Sequence, residues 1–330
     1  KRPGYIEIPV DMTRVDITVP ESPPKLATGP ALNREAMREA AKEIAAAFHR
    51  AKRPVLYTGI GLRRYNLVGA ALQIAETWGV SVVSSVMGKA SFPESYANYV
   101  GMYMGKMGDA QARELLENSD LVLAVGVIFS DVNSGLWTGK IDMRNIVDMR
   151  DLDVKISHHT YRQVPVCDLL PHLTTLPVDM KTLPQFNRCR KVEAHRSSSR
   201  LSTADLIRSL RRLDHRMFSF LADVGDGWFA GLELEADLFM APGYYASMGF
   251  AVPGAVGAAL AAPDRRPVVL VGDGAFQMTG NELSTLIANK LNPLVIVLNN
   301  GYYKMLSALD GHREYYNLHN WDYVQYAGAL

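Results

Sequence analysis

The sequence predicts an α/β protein made of two doubly wound parallel-sheet domains. Short β-branched apolar runs alternate with stretches whose apolar residues recur at helical spacing, the order that buries a parallel sheet beneath helices. The alternation breaks over residues 177–202, where hydrophobicity falls and Ser197, Ser198 and Ser199 stand in a row, a linker composition. In the C-terminal part, small polar motifs sit at the ends of apolar runs, where open parallel sheets keep their ligand crevice.

Taken in order, residues 4–9 (Gly-Tyr-Ile-Glu-Ile-Pro) read as an apolar strand without a visible partner, and the prolines of 20–30 mark a connector. Asn33 can cap a helix whose face carries Ala36, Ala40, Ile44 and Phe48, and Arg53-Pro54 leads into a strand at 55–58. A helix over 67–78, a strand over 80–86, a helix over 110–118 and strands over 121–128 and 146–149 continue the middle domain. Helix and strand alternate again from Ala204. The stretch 238–263 carries no charge and has the length of a membrane span, but Pro242, Pro253 and its glycines predict a loop and a closely packed buried helix instead.

With 330 residues, 48% of them hydrophobic, two ordinary cores are affordable, and a formal charge of +1 gives no field that would gather nucleic acid or an acidic membrane. The arginines between 188 and 216 lack interleaved aromatics for stacking bases, so they read as a solvated linker and helix face. Cys167 and Cys189 form neither a metal pattern nor a disulfide framework, and no signal-peptide core opens the chain, so a cytoplasmic location is expected. Gly59-Ile60-Gly61 is not a dinucleotide fingerprint, because Arg64 replaces the third glycine. His158 and His159, adjacent on a short strand, would point to opposite faces and suit structural or surface roles.

The chemistry concentrates near the C-terminus. Gly272-Asp273-Gly274 follows the apolar run 267–271, and Asn299-Asn300 follows 293–298. Glycines allow a sharp turn and close approach, Asp273 offers a hard carboxylate and Asn300 a neutral amide oxygen, a combination that suits magnesium. A helix after Gly274, marked by Leu283, Leu286 and Ile287, would turn its first amides toward the same crevice, where they attract phosphate. The reading is a magnesium ion bridging protein oxygens to a diphosphate. A second Gly-Asp-Gly at 225–227 has no Asn-Asn at that distance, so Asp226 is not expected to bind the metal.

The spaced pair resembles the cofactor signature of thiamine diphosphate enzymes. Together with residues 4–9, the middle α/β domain and 241–250 (Ala-Pro-Gly-Tyr-Tyr-Ala-Ser-Met-Gly-Phe), it makes the chain similar to the 2-oxo acid decarboxylase branch, most of all to phenylpyruvate and indolepyruvate decarboxylases. The resemblance implies a three-domain architecture: residues 1–20 as the last strand of a pyrimidine-binding domain with its connector, 21–186 as the central domain, 187–202 as linker, and 203–330 as an incomplete diphosphate-binding domain. A start without methionine and an end at Leu330, ahead of a final helix and strand, make a fragment the expectation. Thiamine diphosphate and Mg2+ are the implied cofactors, with Asp273, Asn300 and the Tyr302 carbonyl as metal ligands. Met248 matches the apolar prop that bends the cofactor; Ala246, Ser247 and Met248 lie along its pyrimidine, and Asp226 and Gly227 along its diphosphate. Gly272, Gly274, Ala275, Tyr302 and Tyr303 complete the cofactor surface. No residue matches the activating glutamate, which in this family belongs to the pyrimidine domain and acts across a dimer interface, so no catalytic residue is expected on this chain.

Departures from the family narrow the substrate. Leu306, preceded by Met305, stands where pyruvate decarboxylases carry a glutamate, and this apolar pair suits a bulky aromatic 2-oxo acid. Asp131 matches an acidic position near the site in phenylpyruvate decarboxylases. No arginine occurs in 126–133, where flavin-bearing relatives have one. The implied partners are a small 2-oxo acid and further copies of the chain in a dimer or tetramer, or a separate pyrimidine-domain chain. Two alternatives share every motif: a carboligase of acyloin- or acetolactate-synthase type, and a non-catalytic cofactor-binding subunit of a split enzyme.

Overall fold

A computed structural model of the chain describes residues 5–19, 21–22, 32–181 and 201–330. Seven strands form the first sheet: β1 (Pro54–Thr58), β2 (Ser81–Ser85), β3 (Tyr99–Tyr103), β4 (Leu121–Val125), β5 (Ile146–Met149), β6 (Val154–Ile156) and β7 (His159–Tyr161), in the order β3-β2-β1-β4-β5-β6-β7. β3 to β5 run parallel, and an antiparallel β5-β6-β7 meander closes one edge. β1 and β4 are buried along their whole length, as continuous apolar strands covered on both faces should be.

Asn33 caps the helix Arg34–Arg50 by accepting from the Ala36 amide, and Met37, Ala41, Ile44 and Phe48 enter the core beside Trp78. β4 ends earlier than the predicted 121–128 because Gly126 turns to φ 63° and donates to the Met149 carbonyl. There the backbones of Gly59 and Gly61 press on that of Gly126 too closely for any Cβ. These glycines serve backbone packing at the point where the strand order reverses.

Two expectations change. Residues 5–9 join no strand among the described residues, and Val10–Arg14 is a short 3-10 helix; Tyr5, Ile6 and Ile8 are exposed. His158 lies in the turn between β6 and β7 rather than on a strand, and only His159 joins β7, its ring nitrogen 2.9 Å from the Glu43 carboxylate. The connector over 23–31 and most of the linker, 182–200, lie outside the described residues.

The second sheet holds β8 (Phe218–Ala222), β9 (Phe239–Met240), β10 (Arg266–Gly272) and β11 (Leu294–Leu298) in the order β11-β10-β8-β9, all parallel. Ser202 opens this part with a capping box to Asp205 ahead of the helix Thr203–Leu210. The uncharged stretch folds as expected into a loop and the buried helix Ala251–Ala261, with Pro253 tolerated in its first turn. Among the described residues no helix is long and apolar enough to cross a membrane.

The two sheets share a seam. Val86, Ala90 and Met104 pack in one cluster with Phe220, Trp228, Leu234 and Leu270. Lys89 forms a 2.6 Å ion pair with Glu94 beneath that seam and donates across it to the Leu234 carbonyl, while Arg63 joins the carbonyls of Ala90 and Asp237. Both members of the Lys89–Glu94 pair are buried, so each depends on the other for charge compensation.

Candidate cofactor and metal site

Strand register builds the site. β10 and β11 pair in parallel with Gly272 opposite Leu298, so Asp273 and Asn299 emerge side by side at the carboxyl ends of neighbouring strands. Asp273 opens the helix Asp273–Thr279 and is only 3% exposed. Its Oδ1 accepts from the Gly274 amide at 2.9 Å and its Oδ2 from the Gly301 amide at 2.6 Å. The two halves of the motif are thus joined directly by one carboxylate. Gly301 takes φ 80°, a conformation that favours glycine, and Asn300 Oδ1 accepts from the Tyr302 amide at 3.1 Å.

A cleft of about 220 Å³ lies above this junction. Asp226, Ala246, Met248, Gly272, Asp273, Gly274, Ala275, Asn300, Tyr302, Tyr303, Met305 and Leu306 all line it, so residues far apart in the chain converge on one cleft. Gly272 has open space where a Cβ would project, whereas a Cβ on Gly274 would overlap the Tyr303 ring. Met248 is half-buried against the core of this domain, between Ala246 at φ 57° and Gly249 at φ 84°.

Three predicted residues lie elsewhere. Gly227 is buried, and a Cβ there would come within 2.9 Å of the Leu270 carbonyl, so it serves close packing of the helix Asp226–Gly231 on β10. Ser247 faces a neighbouring cavity between the two sheets, shared with Ile60, Arg64 and Trp228. Asp131 is exposed in a turn after β4, where its carboxylate accepts from the Val132 amide and its carbonyl from the Leu136 amide.

Two residues escaped the sequence reading. Asp223, fully buried at the end of β8, accepts from the Val224 and Gly249 amides with Oδ1 and from the Ala251 amide with Oδ2, at 3.0, 3.1 and 2.8 Å. It thereby holds the chain just after Met248. Burial pushes its carboxyl above the usual range even though the amide donors pull it down. A signal was present, since Asp223 follows an apolar strand just as Asp273 does. Lys304, the other, forms a 2.6 Å ion pair with Asp226.

The donor set fits a hard cation, because Asp273, Asn300 and the Tyr302 carbonyl offer oxygen only. Among the described residues no group of three or more His, Cys, Asp or Glu side chains could hold a metal by itself. An ion here would need oxygens from a ligand, the habit of Mg2+ bound to phosphates and water.

Comparison with known proteins agrees with this geometry. Residues 41–170 match the thiamine pyrophosphate enzyme central domain, and residues 227–330 match the thiamine pyrophosphate enzyme C-terminal TPP binding domain. The indole-3-pyruvate decarboxylase of Azospirillum brasilense is 31% identical over 334 residues, covering all of this chain and 61% of its own length. A probable pyruvate decarboxylase of Schizosaccharomyces pombe is 30% identical, and the pyruvate decarboxylase of Neurospora crassa 28%; each matches the whole chain and 59% of its own length. The chain therefore spans about three-fifths of the length of these relatives. A buried aspartate tied to the end of the neighbouring parallel strand, in a chain matching both domains in order, leads to one conclusion: the chain belongs to the thiamine pyrophosphate enzymes.

Proposed function

We propose that the protein is a thiamine diphosphate- and Mg2+-dependent decarboxylase converting an aromatic 2-oxo acid to its aldehyde, acting in the cytoplasm as a homo-oligomer. The observation that carries the cofactor part is the buried Asp273 carboxylate, bonded to the Gly301 amide beside Asn300. Asp273, Asn300 and the Tyr302 carbonyl would hold the metal, and the glycine-lined turn would admit the diphosphate. When bound, thiamine diphosphate supplies the thiazolium ring that takes up the electrons left when carbon dioxide departs.

The chain's own residues do three things. Asp273 fixes the metal end, Met248 props the middle of the cofactor, and Met305 and Leu306 give the cleft an apolar wall that favours an aromatic substrate over pyruvate. Among the described residues the carboxylates lining the cleft are Asp226 and Asp273, so the proton relay to the pyrimidine ring is assigned to a residue outside it. The boundaries proposed for the domains are those read from the sequence: 21–186 central and 203–330 diphosphate-binding. The test is calorimetric titration of thiamine diphosphate with Mg2+ into the protein and its Asp273→Ala variant, alongside aldehyde formation from phenylpyruvate. Binding should vanish in the variant. Undiminished binding by Asp273→Ala would overturn the assignment.

A further inference from the structure

Lys304 is the one basic side chain among the described residues lining the cleft, and its ammonium lies 2.6 Å from Asp226 Oδ2. The pair joins the first residue of the helix Asp226–Gly231 to the first residue of the helix Lys304–Asp310, so the ammonium is carried at a helix N-terminus. That is the wrong end of a helix for a cation, since the dipole there favours negative charge. An ordinary exposed ion pair would contribute little, and this one is half-exposed. Helix stability therefore gives little reason for a cation at this position.

Charge balance supplies one. The cleft presents two carboxylates, Asp226 and Asp273, to a ligand that is itself a polyanion. Asp273 is offset by the metal in the reading above, whereas Asp226 would repel the diphosphate unless a cation stood between them. We infer that Lys304 is a cofactor-anchoring residue, neutralising Asp226 in the free protein and presenting its ammonium to the diphosphate when the cleft is filled, with Asp226 holding it in place. The backbone amide of Lys304 also donates to the Tyr302 carbonyl at 2.9 Å, so the same residue steadies an oxygen proposed for the metal.

This inference rests on the cofactor reading of the cleft, and the experiment separates the two. Thiamine diphosphate with Mg2+ is titrated by calorimetry, at low and high salt, into the unaltered protein and into Lys304→Met, Lys304→Arg and Asp273→Ala, with thermal unfolding as the folding control. Lys304→Met should bind about ten- to a hundredfold more weakly, the range lost with a charge-assisted bond. Lys304→Arg should stay within about threefold, and the salt dependence should be shallower in Lys304→Met, as removal of one phosphate-facing cation requires. Lys304→Met binding within about twofold of the unaltered protein overturns the inference, while loss in Asp273→Ala leaves the cofactor reading standing. If the unaltered protein binds no cofactor, or Asp273→Ala binds as well as it does, the reading itself falls and the role of Lys304 with it.

Discussion

Replacing Asp223 tests how the cleft is held. Its carboxylate is fully buried and satisfies three backbone amides, those of Val224, Gly249 and Ala251. In Asp223→Asn the amide oxygen can keep Val224 and Gly249, but its NH2 then faces the Ala251 N–H. One hydrogen bond is lost and one buried donor is stranded. At about 1–3 kcal/mol for each such loss, with relief of carboxylate desolvation offsetting part, the expected destabilisation is about 2–3 kcal/mol. Asp223→Ala strands all three donors and should cost about 4 kcal/mol or more. Both changes read out as a shift in the urea midpoint at constant slope. The pH dependence has a definite sign. Burial raises the folded-state carboxyl above its unfolded value, so its contribution to stability is fully present below the unfolded value of about 4 and is lost as pH rises through the folded one. The gap between Asp223 and Asp223→Asn should therefore be widest in acid and narrow toward neutrality. A cost under about 0.5 kcal/mol, or a gap that widens with pH, would refute the account.

Three further outcomes are expected. Lys89→Met takes the ammonium away from a buried carboxylate at the seam and should destabilise by about 3–5 kcal/mol in chemical denaturation, with much of the loss recovered in Lys89→Met/Glu94→Leu. Gly274→Ala drives a methyl group into the Tyr303 ring; overpacking of about 1–3 kcal/mol is partly offset by better helix propensity, so the melting temperature should move little while cofactor binding weakens about tenfold. Leu306→Glu should lower the ratio of kcat/KM for phenylpyruvate to that for pyruvate, which the aromatic pocket sets at about a hundredfold or more; an unchanged ratio would place the substrate wall elsewhere.

What the sequence made legible were features that are local or periodic. β1, β5 and the Asn33-capped helix announce themselves through runs and caps, and Gly-Asp-Gly with Asn-Asn announces the cleft because each half terminates its own strand. β3 was missed because Tyr99-Val-Gly-Met-Tyr103 carries a glycine at its centre and little β-branching, so its pairing with β2 decides its conformation rather than its own preference. Asp223 and Lys304 were missed for a different reason. Their partners, Gly249, Ala251 and Asp226, lie far along the chain, and only the folded sheet brings them within bonding distance. Ser247 and Asp131 show the converse: a matched position in a motif does not say which way the loop carrying it faces.

The strand order β11-β10-β8-β9 has a kinetic consequence. β10 pairs with β8 across the intervening helix Ala251–Ala261, and β11 pairs with the opposite edge of β10. Each pairing closes a long loop before any contact repays the lost entropy. The cleft, which needs the ends of all three strands, is complete only when both pairings have formed. A cofactor that recognises the completed cleft therefore has nothing to grip on the way up the barrier, and it should slow unfolding while leaving the folding rate unchanged, a split that stopped-flow denaturant jumps would expose.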